Sequence, residues 1–97
     1  MKEIYKILHK PTGLFITRST YQNHHSNLSK IGKIYEGNTG WNLWKDGGVV
    51  SIDAHGSLYN KLSEQYPECI VKDSYGKEKS WRMNSKPSDF EKFIIKQ

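Results

Sequence analysis

The sequence predicts an α+β domain. It reads as a small antiparallel sheet of about five or six strands in hairpins and meanders, with one short helix near residues 57–66. Three observations carry that reading. Short runs rich in β-branched and aromatic residues recur along the chain, separated by Gly, Pro, Asn and Asp. A single stretch, "SLYNKLSEQY", has helical spacing. The 97 residues, 35% of them apolar, suffice for one core, so residues 1–97 are read as a single domain without linker, repeat or low-complexity segment. Aromatic residues make up 12% of the chain, and each ring buries roughly 150 to 250 Å² when covered, so the core is expected to be thin and ring-rich.

The elements follow in order. "EIYKILHK" (residues 3–10) and "LFITRS" (14–19) are strand-like and joined by "KPTG". Pro11 suits the second position of a type I turn, and Gly13 supplies the left-handed residue that closes a bulged hairpin. "TYQNHHSN" has no period and reads as a polar loop, and "GKIYEG" as a third short strand. "WNLWKDGGVVSID" reads as a second hairpin turning at Asp46 and Gly47, with Trp41 and Leu43 on one face and Trp44 on the other. In residues 57–66, Leu58, Leu62 and Tyr66 form a helical stripe that Pro67 ends. "CIVKD" and "EKSWRMN" form a third hairpin around "SYGK". The tail supports two readings: Ser88 and Glu91 match a capping box for a C-terminal helix, while "FEKFIIKQ" is β-rich enough to close a sheet edge.

Named chemistries are absent from the sequence. There is no Gly-x-Ser-x-Gly elbow, no phosphate-binding Gly-x-x-x-x-Gly-Lys-Ser/Thr loop and no His-Glu-x-x-His. Cys69, His9, His24, His25 and His55 are the nucleophile and base candidates, with no spacing that pairs them. Asp53 and His55 in "IDAHG" could serve as acid and base, but cap preference favours a strand end at which Asp53 starts the next helix. The adjacent His24 and His25 lack partners at ligand spacing, so no metal and no cofactor is expected, and the chain is read as a non-enzyme. With Cys69 as its only cysteine it can form no intrachain disulfide, which fits a reducing cytoplasm. "MKEIYKILHK" is not a secretory leader, and no apolar run approaches the ~18 residues of a membrane span.

Fifteen Lys plus Arg against ten Asp plus Glu give a net charge of +5, which favours polyanions and acidic protein faces. Lys30 and Lys33 flank Gly32, and Arg18, Lys45, Lys77, Lys79 and Arg82 lie on expected strands or hairpin tips. Trp44, Tyr35, Tyr75 and Trp81 could stack bases, with Trp41 and Trp81 expected mainly in the core and Trp44 and Tyr75 outside. Arg18, Lys30, Lys33, Trp44, Lys45, Lys77, Lys79 and Arg82 are therefore the expected binding residues.

"HKPTGLF", "NLSKIGKIYEG" and "SDFEKF" resemble motifs of a group of short uncharacterised proteins of large tailed bacteriophages. That group shares Lys-Pro-Thr-Gly-Leu-aromatic, then Asn-Leu-Ser-Lys-x-Gly-Lys-aliphatic-Tyr, then Ser-Asp-aromatic-Glu. The likeness covers residues 5–19, 27–36 and 88–93 and brings no assigned site residues. It implies a phage protein made early in infection and acting in the host cytoplasm, where proteins of this size often inhibit host defence or toxins by stoichiometric binding. Two functions follow as expectations. The first is a non-enzymatic binder of RNA or single-stranded nucleic acid in counter-defence or host takeover. The second is a stoichiometric inhibitor of a host nuclease, toxin or defence factor, with Trp44 and Tyr21 as contact rings. A third reading, binding through a sheet edge, is weakened by short strands and edge lysines.

Overall fold

Residues 2–19, 25–45, 47–53, 64–65, 70–72 and 78–97 are described by a computed structural model. Along them run β1 (Ile4–His9), β2 (Leu14–Ser19), β3 (His25–Ser29), β4 (Tyr35–Glu36), α1 (Trp41–Trp44), β5 (Gly48–Asp53), β6 (Ile70–Lys72), β7 (Glu78–Ser85), a 3-10 turn (Pro87–Asp89) and β8 (Phe90–Lys96). The strands join in one sheet of order β4-β1-β2-β3-β5-β7-β6, with β8 added to β1. Since β4 has two residues and β6 three, about six strands carry the sheet.

The β1–β2 hairpin forms as its sequence predicts, pairing Leu8 with Phe15 and His9 with Leu14. Gly13 takes φ 71°, and its N–H donates to His9 O at 2.8 Å. The expected third hairpin is present as the antiparallel β6–β7 pair.

Three expectations are corrected, and one left open is decided. The sheet is mixed, because β3 and β5 are parallel with His25 opposite Val49. A parallel pair needs a crossover of a dozen or more residues, which residues 30–47 supply through β4 and α1. β3 itself starts at His25, inside the stretch read as a polar loop, because pairing with β2 and β5 satisfies its backbone from both sides. "WNLW" is one helical turn rather than a strand: Leu43 N–H donates to Gly40 O, Gly47 N–H to Trp44 O, and Tyr5 Oη accepts from Trp41 N–H at 2.9 Å. Helical spacing turns Trp41 and Trp44 to one side, whereas alternation would have sent Trp44 outward. Of the two readings of the tail, the strand is the one present: residues 90–96 form β8, and the C-terminal helix is not formed. Asp89 Oδ2 accepts Lys86 N–H at 2.8 Å inside a one-turn 3-10 segment, and the chain then extends along β1. Of the helix expected over 57–66 only Glu64 and Gln65 are described, both helical and exposed; the remainder lies outside the described residues.

The core occupies one face. Burial alternates strictly along β1, placing Tyr5, Ile7 and His9 inward. Leu14, Ile16, Leu28, Val50 and Phe90 join them from neighbouring strands, with Tyr35 and Trp44 buried in the same cluster and Trp41 and Leu43 packed against it. Tyr5 stacks on Tyr35 with ring centroids 5.7 Å apart, and Trp44 lies 5.1 Å from Phe90. The ring-heavy core expected from composition is thus present, at about 1.5–3 kcal/mol for each large apolar side chain buried.

Candidate interaction surface

The opposite face of β8–β1–β2–β3 carries no helix or second sheet among the described residues, and the loop after β3 reaches over it at Phe15 and Lys6. Alternation sends Lys6 and Leu8 there from β1, and pairing brings Phe15 opposite Leu8 and Phe93 opposite Lys6. The Phe15 and Phe93 rings meet edge to face across β1, 5.2 Å apart, and Lys6 Nζ stands 5.2 Å from the Phe15 centroid. Two bulges re-aim cations onto this face. Between Ile16 and Arg18 the β2–β3 register shifts, so Arg18 pairs with Asn27 while Ile16 pairs with buried Leu28. Ser26 Oγ–H donates to Arg18 O, and Thr17 Oγ1–H to Asn27 O at 3.0 Å, which hold the bulge. On β8 the register change falls at Ile95: Ile94 pairs with Tyr5 and Lys96 with Ile4, so Lys96 joins Phe93 on the outer side.

The loop after β3, "KIGKI", borders this face. Lys30, Ile31, Lys33 and Ile34 are all exposed, Ile31 by 77% and Ile34 by 61%. Exposure of that degree usually accompanies a mobile segment, yet this loop is tied at three points. Lys33 N–H donates to Ile16 O at 2.6 Å, Lys6 Nζ–H to Ile31 O at 2.6 Å, and Ile31 N–H to Ser29 Oγ at 3.1 Å. Gly32 makes the closeness of the loop to the sheet possible. Its φ is +74°, and a Cβ there would lie 2.5 Å from Phe15 Cβ. Lys33 Nζ lies 5.2 Å from the centroid of the Tyr35 ring.

A second cluster closes the sheet where β8 meets the start of β1. Lys92 Nζ donates to Glu3 Oε2 at 2.9 Å and to Asn38 Oδ1 at 3.2 Å, and stands 4.9 Å from the Tyr5 ring centroid and 6.0 Å from that of Trp41. Lys2, Glu3, Gly37, Asn38 and Lys92 line a shallow cleft of about 250 Å³. Lys92 therefore fills its own aromatic and acidic box, and this arrangement fastens the last strand to the first.

One buried titratable group stands apart. His9 is fully buried, with Nδ1 2.9 Å from Thr12 Oγ1, Nε2 without a hydrogen-bond partner, and the Phe90 ring 5.3 Å away. Loss of hydration in this pocket lowers its pKa to about 4, against a smaller opposing pull from Asp89.

The expected binding residues separate into groups. Arg18, Lys30 and Lys33 are exposed on or beside the outer face. Lys45 is exposed but follows α1, in the layer on the core side. Lys79 and Arg82 lie on β7, whose pairing partners are β5 and β6, away from the loop in the sheet. Lys77, Tyr75 and Tyr21 lie outside the described residues. Trp44, expected outside, is fully buried and offers no ring to a ligand, and Tyr35 is likewise in the core. Sequence reasoning missed Lys6, Phe15, Ile31, Ile34 and Phe93. The alternation of "IYKILH" could have placed Lys6 opposite the core, and three successive apolar residues in "FIIK" cannot all face inward from one strand.

Among the described residues no group of three His, Cys, Asp or Glu side chains is placed to hold a metal ion, and no helix is long and apolar enough to cross a membrane. No family of known proteins, no curated protein and no solved structure matches this chain.

Proposed function

We propose that this is a non-enzymatic, stoichiometric binding protein whose target is another protein with an acidic face. Its loop 30–34 and adjoining outer face supply the contact. The observation that carries the reading is the exposure of Ile31 and Ile34 between Lys30 and Lys33 on a loop fastened to the sheet. Aliphatic anchors on a pre-ordered loop favour a protein partner, since they reach full contact without ordering the loop on binding. Surrounding lysines steer the approach to carboxylates. The likeness to tailed-phage proteins supports a setting in the infected cell's cytoplasm, with a host nuclease, toxin or defence factor as target. The alternative, RNA or single-stranded nucleic acid along Arg18, Lys30 and Lys33, keeps its cations but loses Trp44 and Tyr35 as stacking rings.

The test is capture of partners from nuclease-treated host lysate on immobilised protein, alongside an Ile31→Asp, Ile34→Asp variant. A stoichiometric protein partner that survives digestion and is lost by the variant supports the proposal. Co-purifying RNA that disappears with high salt or ribonuclease, with no protein retained, replaces it by the nucleic-acid reading.

A further inference from the structure

The outer sheet face carries a more specific implication, which rests on the reading above. We infer that the partner supplies an amphipathic, acidic helix that lies across β8–β1–β2 as a third layer, its apolar ridge on Leu8, Phe15 and Phe93 and its carboxylates over Lys6, Lys30 and Lys96.

Layer architecture is the starting point. A sheet face with a continuous apolar strip is normally covered, and the side chains that cover it come from a helix or a second sheet. Here Tyr5, Ile7 and Ile16 are covered by the core, whereas Leu8 and Phe15 on the reverse are only half-buried and Phe93 is 49% exposed. The two Phe rings meet over β1, so the three residues are contiguous rather than scattered. Contiguity of exposed apolar groups is what distinguishes an interaction site from ordinary surface.

Charge selects the occupant. Lys6, Arg18, Lys30 and Lys96 rim the strip, against Glu91 as the acid that β8 presents opposite Leu8. A second copy of the chain, itself at +5, would bring cations against cations. An acidic segment meets an opposite charge at each of these cations and a like charge at Glu91 and at Glu36, which pairs with Ile4 at the Lys96 end of the face.

Geometry selects a helix over an added strand. β8 pairs with β1 alone among the described strands, so its other edge is open to augmentation. The bulge at Ile95 interrupts that edge, which leaves Phe90–Ile94 as the regular stretch, and bulges are one of the means by which sheet edges resist added strands. The face suffers no such interruption between Leu8, Phe15 and Phe93.

A fluorescein-labelled 18-residue peptide of Leu, Glu and Ala tests this, with Leu at helical spacing on one side and Glu on the flanks. Its controls are a peptide of the same composition with the helical spacing scrambled and one with Lys in place of Glu. Fluorescence anisotropy gives affinity, and amide resonances of a 15N-labelled protein give location. The expected result is saturable binding by the first peptide, at least about ten-fold tighter than either control, with the perturbed amides centred on Leu8, Phe15 and Phe93. Phe93→Glu should abolish it. Lys96→Glu, at a solvated site where refolding is not in question, should weaken it several-fold. Equal binding of the scrambled peptide would overturn the inference in favour of charge alone, and perturbation confined to Phe90–Lys96 would overturn it in favour of strand addition. Sedimentation showing a concentration-dependent dimer that Phe93→Glu dissolves would assign the face to a second copy. The proposed function is tested separately by the Ile31, Ile34 variant: a lysate partner that needs the loop, with no helical peptide on the face, refutes this inference and leaves that reading standing.

Discussion

His9 makes the fold acid-sensitive by an amount that can be worked out. The ring is fully buried beside Phe90, and the protonated ring would carry an N–H at Nε2, which has no acceptor among the described residues. Its pKa falls from 6.5 to about 4, because burial removes the hydration of the charged form. The group is a base held neutral, so its effect is absent above the unfolded value and appears as pH falls. Below pH 6.5 the unfolded chain takes up the proton and the folded chain does not, and stability drops until the folded pKa is reached. Every pH unit that separates the folded from the unfolded value corresponds to about 1.4 kcal/mol, so the total loss approaches roughly 3 kcal/mol near pH 4, of which about 2 kcal/mol is already lost at pH 5. Against a total stability of about 5–15 kcal/mol, that is a large fraction. Urea unfolding at half-unit steps from pH 7.5 to 4.5, for the wild type and for His9→Leu, isolates this contribution from His24, His25, His55 and the carboxylates. The variant should start from a different stability but lose about 2 kcal/mol less between pH 7.5 and 5. Parallel stability curves for the two proteins, or a His9 imidazole resonance titrating near 6.5, would refute the reasoning.

Two further outcomes follow from the packing. Trp44→Ala removes a ring with no exposed surface and should cost about 3–5 kcal/mol, read as a lowered urea midpoint. The milder Trp44→Phe should leave partner binding unchanged if the ring serves the core alone. Gly32→Ala forces a side chain into φ +74° and against Phe15 Cβ, so it should cost about 1–3 kcal/mol and weaken any binding that uses Ile31. Hydrogen exchange at Lys33 N–H should quicken in that variant, because its bond to Ile16 O depends on the close approach of the loop.

Where local rules act alone, the sequence was readable. The β1–β2 hairpin has its turn residues in place and a clean period of two, and β6 and β7 pair antiparallel as their composition predicts. The expected cations at Arg18, Lys30 and Lys33 are indeed outside. What escaped reading was set by distant partners. "WNLW" satisfies strand propensity as well as "GVVSID" does, and only the fit of Trp44 against Phe90, with Tyr5 Oη accepting from Trp41 N–H, makes it a helix. β3 is too polar to announce itself and gains its place from two neighbours. The tail carries both a helix start and a strand composition, and β1 decides between them. For the surface, counting charges picked out Arg18, Lys30 and Lys33 but passed over Lys6, Lys96 and the apolar residues between them, since the outward side of a strand is defined only once its core side is known.

The pairing of the first strand with the last also governs how this fold can be reached. Ile4 sits opposite Lys96, and β8 runs the whole length of β1. A strand that comes early in the chain therefore waits for one that comes late, across a loop of some ninety residues whose closure must be met before those contacts reward it. The β1–β2 hairpin and the β6–β7 hairpin can form early on their own, but the seam between β1 and β8 should be the last to close on refolding. It should also be the first to part under force applied to the two ends. Until that seam closes, Tyr5, Ile7 and Phe90 stay exposed together.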